Sequence, residues 1–147
     1  MTLLEKLGKI QAELKVNKSR YNKFGKYNYR AAEDILEALK PFELKYKVTF
    51  SIDEMSIGDM LIQSTAIIQD WESENAIHRN AIVGVEKAGG MALPQAFGSA
   101  SSYGKKYALG NLLLIDDTAD ADATNQHGKS DRFSQPSGNT GGADLGF

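Results

Sequence analysis

From Val48 onward the spacing of apolar residues shortens to every second position, and this change of period constrains the fold most. Val48, Phe50 and Ile52 alternate with Thr49, Ser51 and Asp53, as a half-buried strand requires. Ser56, Ile57, Gly58 and Asp59 have turn chemistry, and a β-branched run over 61–71 follows. Glu72, Ser73, Glu74 and Asn75 read as a second turn before Ile77, Ala81, Val83 and Val85 mark a third strand. Connections this short join antiparallel neighbours, so the region predicts a three-stranded meander.

Helical spacing flanks it on both sides. Residues 2–16 carry Leu3, Leu4, Leu7, Ile10 and Leu14 on one stripe, with Thr2 as N-cap. Residues 31–45 place Ile35, Leu36, Leu39 and Phe42 on another stripe, with Glu33 and Asp34 in a first turn whose dipole favours them. Pro41 is expected to kink this helix or end its regular part. Pro94 suits the first turn of a third helix, expected over 94–115 after a loop at 87–90. The predicted class is α+β: an antiparallel β-β-β meander packed against a long C-terminal helix and covered on one face, with helices before it.

The chain's 147 residues suffice for one domain with a real core, expected over 1–123. Residues 124–147 are rich in Gly, Ser, Asn and Gln and are expected to be a flexible, disordered tail. No apolar run approaches the roughly 18 residues of a membrane span, and the N-terminus lacks a signal-peptide pattern. Cytoplasmic residence is the expectation. The absence of cysteine removes disulfides and thiolate chemistry, and with two histidines no histidine-based metal site is expected.

The formal net charge of −2 hides segregation. Residues 1–47 hold eleven Lys/Arg against six Asp/Glu, and residues 48–90 hold two against seven. Local field rather than total charge steers encounter, so a polyanionic partner is compatible with an acidic pI. The positive charge concentrates in residues 17–30, NKSRYNKFGKYNYR, where five cations interleave with four aromatics and no acid. This stretch reads as a loop too polar and glycine-broken for a core. Arg20, Lys23, Lys26 and Arg30 can track phosphates there, and Tyr27, Tyr29, Phe24 or Tyr21 can stack on bases. Tyr29 is the aromatic best placed for the core instead.

The third helix has an unusual make-up. Ala96, Ala100, Tyr103, Tyr107, Gly110 and Leu114 step by three and four and are expected to pack on the sheet. Ser99, Ser102 and Lys106 lie opposite, flanked by Gln95 and Lys105. Interior glycines cost about 1 kcal/mol each relative to alanine, so something must approach the backbone closely. That neighbour is either a packed element or a sugar-phosphate backbone over Gly98, Ser99 and Ser102, with Lys105 and Lys106 neutralising phosphates.

The segment PQAFGSASSYGKKYALGNLLLIDDTADADA resembles the signature of the Erf-type single-strand annealing proteins of phages. Pro94, Gln95, Gly98, Ser99, Ala100, Tyr103, Tyr107, Ala108 and Leu109 match it. Ser102 replaces a threonine, Lys105 and Lys106 replace an arginine pair, and Leu114 stands where glycine is common. Upstream, FGKYNYRAAEDILEALKP is similar to the family's aromatic-rich lead into its first long helix. The lysines keep charge but lose the guanidinium fork, so phosphate contact survives while a bidentate role does not. The resemblance covers about residues 20–123 and links the chain to a superfamily of ring- and filament-forming annealing proteins with a β-β-β-α core.

The resemblance implies a non-enzymatic, ATP-independent protein that binds single-stranded DNA and anneals complementary strands in recombination, without cofactor or metal. Implied partners are single-stranded DNA, further copies of itself in a ring or filament, and a phage exonuclease or host single-strand-binding protein, in the cytoplasm of an infected or lysogenic bacterium. The DNA-binding candidates are Lys105, Lys106, Ser99, Ser102, Lys23, Lys26, Arg30, Arg20, Tyr27 and Arg79. Arg79 either adds to a groove or pairs with a carboxylate of a neighbouring strand, and His78 on the opposite face is expected to meet solvent. Trp71 suits subunit packing and core filling equally. A second reading is an interaction module that binds a replication or recombination protein through the basic loop and acidic tail. A third is an enzyme with a carboxylate site assembled from Asp53, Asp59 or Asp116 and Asp117. Asp116, Asp117, Asp120 and Asp122 read more simply as solubilising acids or as partners for basic residues of an adjacent subunit.

Overall fold

The computed structural model describes residues 1–115. Helix α1 (Leu3–Glu13) is followed by short strands β1 (Arg20–Asn22) and β2 (Tyr27–Tyr29) and helix α2 (Ala32–Tyr46). Strands β3 (Val48–Gly58), β4 (Leu61–Asp70) and β5 (Ala76–Gly84) come next, and helix α3 (Leu93–Leu113) follows them. Among the described residues no helix is long and apolar enough to cross a membrane.

The expected meander is present as an antiparallel sheet in the order β3-β4-β5. Its register sets Phe50 opposite Ile68 and Ile68 opposite Ile77, so each strand's apolar set shares one face. On β4, Ile62, Ser64, Ala66, Ile68 and Asp70 are buried under the helices, while the alternate residues are half-buried or exposed. The first turn lies later than expected. β3 continues through a register shift between Ser56 and Gly58, and Met60 takes a left-handed φ of 59°.

α1 begins with the expected cap: the Glu5 amide donates to Thr2 Oγ1 at 3.1 Å, and the Thr2 amide donates to Glu5 Oε1 at 2.7 Å. Leu3, Leu7 and Ile10 enter the core with Ile35, Leu39, Val48, Ile68, Leu109 and Leu112. Lys6 shares that buried stripe because its ammonium donates to Asp70 at 2.8 Å and Glu72 at 2.7 Å, clamping α1 to the end of β4. The Lys6 hydrogen bond, seconded by Ser73, lowers the Asp70 carboxyl to about 2. Pro41 does not end α2, which runs on to Tyr46 and stops at Lys47 in the left-handed region.

α3 packs on β4 and β5 through a different stripe from the one expected. Ala96, Ala100, Gly104, Ala108 and Leu112 are buried, joined by Leu109 and Leu113. Tyr103 and Tyr107, expected in the core, are 48% and 42% exposed. The reason is Ser64 on β4: a side-chain carbon at Gly104 would collide with its hydroxyl, so the helix lies too close to the sheet for a ring. Close packing therefore accounts for Gly104, whereas Gly98 faces open space. Trp71 is exposed at the end of β4 and donates to Thr49 Oγ1 at 2.7 Å, which removes the core-filling alternative. His78 is exposed, as expected. Residues 116–147 lie outside the described residues, so the tail, Asp116, Asp117, Asp120 and Asp122 do too.

Candidate nucleic-acid interface

The basic stretch at 17–30 is a hairpin rather than a loop. β1 and β2 pair antiparallel, with Arg20 opposite Tyr29 and Asn22 opposite Tyr27. Asn22 organises the turn: its Oδ1 accepts from the amides of Phe24 at 2.9 Å and Gly25 at 3.0 Å, and its Nδ2 donates to the Tyr27 hydroxyl at 3.2 Å. Polar side-chain capping of this kind favours a turn where a hydrophobic pattern is absent. Arg30 is buried and donates to the Val16 carbonyl at 2.9 Å, which fixes the hairpin's base to the segment after α1.

The hairpin faces α3 across an open cleft of about 310 Å³. Arg20, Asn22, Tyr27, Tyr29 and Arg30 line one wall, and Ser99, Ser102, Tyr103 and Lys106 line the other. The four helix residues share a face because they are separated by three and four positions. Ala31, Ala32 and Glu33 close the floor with the first turn of α2, whose dipole adds positive potential beside one carboxylate. The Lys106 ammonium lies 5.6 Å from the Tyr103 ring centre and 6.0 Å from that of Tyr29, within cation–π reach. Tyr103 stacks on Tyr107 with ring centres 6.0 Å apart, so an aromatic surface continues along the exposed helix.

Six sequence candidates thus come together: Arg20, Tyr27, Arg30, Ser99, Ser102 and Lys106. Four do not line the cleft. Lys23 and Lys26 stand at the exposed hairpin turn, Lys105 is half-buried on another side of α3, and Arg79 is exposed on β5 with its guanidinium donating to the His78 carbonyl at 2.7 Å. Arg20 is also engaged within the cleft wall. Its guanidinium makes two bonds to Asp34, at 2.7 and 3.0 Å, which hold the Asp34 carboxyl below its usual range and raise the arginine. Asn22 and Tyr103 are cleft residues that the sequence does not single out for binding, and Tyr29, the aromatic expected in the core, is half-buried on the cleft wall. Tyr103 lies four residues from Ser99 and three from Lys106, the same helical spacing that grouped the polar candidates.

Among the described residues no three His, Asp or Glu side chains gather as metal ligands. Asp53 and Asp59 are exposed on and after β3. Chemically, the cleft offers hydroxyl donors, fixed cations and aromatic faces, a set suited to holding a polyanion that carries flat rings.

Comparison with known proteins gives the family of the chain. The chain is 42% identical over 126 residues to the essential recombination function protein of Salmonella phage P22, covering 83% of this chain and 59% of that protein. The chain thus spans less than two thirds of that relative's length. No solved structure matches it significantly. The model of the ERF superfamily matches residues 3–137, which contain both walls of the cleft, and the chain belongs to that superfamily.

Proposed function

We propose that this protein acts in homologous recombination by binding single-stranded DNA in the cleft between the β1–β2 hairpin and α3. As a homo-oligomer it anneals complementary strands without nucleotide hydrolysis, and residues 1–123 are the binding unit. The observation that carries this reading is Lys106, held between Tyr29 and Tyr103 in a groove edged by Ser99 and Ser102. An ammonium beside two rings can meet a phosphate while the rings take its neighbouring bases. The name of the phage P22 relative supports the recombination role. Annealing needs no external energy source, because duplex stacking returns about 1.4 kcal/mol per base-pair step.

The test mixes complementary fluor-labelled oligonucleotides with the full chain and no nucleotide. Pairing is expected to be faster than the spontaneous rate, and Lys106→Ala is expected to reduce the gain. A protein that leaves the spontaneous rate unchanged does not anneal.

A further inference from the structure

Phe24, at the tip of the β1–β2 hairpin, is 100% exposed. A lone exposed apolar residue is ordinary, but this one is held out by a built turn. Asn22 accepts the Phe24 and Gly25 amides through its side chain and the Lys26 amide through its carbonyl at 2.8 Å. A side-chain carbon at Gly25 would collide with the Tyr27 ring, and Lys26 takes a left-handed φ of 56°. The backbone that carries the ring is therefore fixed.

Lys23 and Lys26 flank the ring, both exposed, and no carboxylate occurs from 17 to 30. A partner that is anionic and presents flat apolar faces matches this tip. Unpaired bases on a phosphate backbone have both properties. The tip also lies only two residues beyond Asn22, which lines the cleft, so a strand leaving the cleft along the hairpin reaches it.

We propose that Phe24 is a stacking wedge that inserts beside a base of the bound strand while Lys23 and Lys26 hold the adjoining phosphates. Its consequence is a preference for unpaired over paired DNA, because entering a duplex must first break stacking between base pairs. The inference rests on the cleft reading and adds a residue that sets its specificity.

Three measurements on the full chain test it. Phe24→Trp adds an indole at the tip, and its emission is compared with that of the wild type, which carries Trp71 alone. Adding oligothymidylate is expected to quench the extra emission, whereas an abasic oligonucleotide of equal length is not. Phe24→Ala is expected to bind single strands about 5- to 150-fold more weakly, the range for loss of one stacked base. Its affinity for duplex is expected to change less, and its melting temperature not at all. If Phe24→Ala matches a wild type that binds single strands well, the wedge is wrong and the cleft stands. If the wild type does not bind single strands, both readings fall. A blue shift of Phe24→Trp that grows with protein concentration in the absence of DNA assigns the ring to a second copy and overturns the wedge.

Discussion

Lys106 and Lys105 are adjacent in sequence and unequal in surroundings, because only Lys106 reaches the cleft. Lys106→Ala is expected to weaken single-strand binding alike for all base sequences and to make the log–log salt slope shallower by about 0.7. Lys105→Ala is expected to change both less, and a titration by fluorescence anisotropy at several salt concentrations separates them. The glycines of α3 differ in the same way. Gly104→Ala brings a methyl against Ser64, at roughly 1–3 kcal/mol for overpacking, offset by about 1 kcal/mol of helix propensity. Gly98→Ala meets nothing and keeps only the propensity gain. Thermal melts should show Gly104→Ala lower than wild type by several degrees and Gly98→Ala level or higher. Local spacing does not separate the two stripes. Past Ala100 the spacing fits Tyr103 as well as Gly104, and hydrophobicity favours the ring. Only the approach of β4, a strand some forty residues away, rules it out.

At the level of elements, α1 is tied to the sheet by Lys6 and Asp70, whose side chains are 3% and 5% exposed. The Asp70 carboxyl lies at about 2, against an ordinary value of 3.8, chiefly because Lys6 donates to it. The folded state therefore favours the ionised form. The stability this pair contributes is complete above the ordinary carboxylate range and is lost as the pH falls through about 4 towards 2. Lys6→Met is expected to melt below the wild type at neutral pH, with the gap narrowing as the pH falls to 2. A constant gap across thermal melts at each pH would contradict it. The period of the sequence reveals all three helices and all three long strands, since alternation and helical stripes are local signals. It does not reveal Lys6 as a buried clamp, because a lysine on an apolar stripe looks like a solvated exception until Asp70 and Glu72 are placed opposite. The hairpin escapes the period for a related reason. Its pairing is carried by Asn22 and Tyr27 rather than by alternating apolar residues.

Across the whole molecule, charge is sorted by the fold as well as by the sequence. Residues 17–30 and the middle of α3 are about seventy positions apart, yet they become the two walls of one groove. Composition singles out the first segment and the family signature the second, but their convergence follows from α3 packing on β4 and β5 beside α2. If the cleft cations Arg20, Arg30 and Lys106 act with Lys23 and Lys26 of the hairpin tip, about five phosphates are neutralised and the salt slope for single strands is about −3.5. Photo-crosslinking tests the groove most directly. A single-stranded oligonucleotide bearing halogenated pyrimidines is irradiated with the full chain, and the adducts are mapped by mass spectrometry. Adducts are expected in both walls, at Tyr27 or Tyr29 and at Tyr103. Adducts confined to the uncovered sheet face around Trp71, His78 and Ile82, from a complex that binds the strand well, would contradict the account.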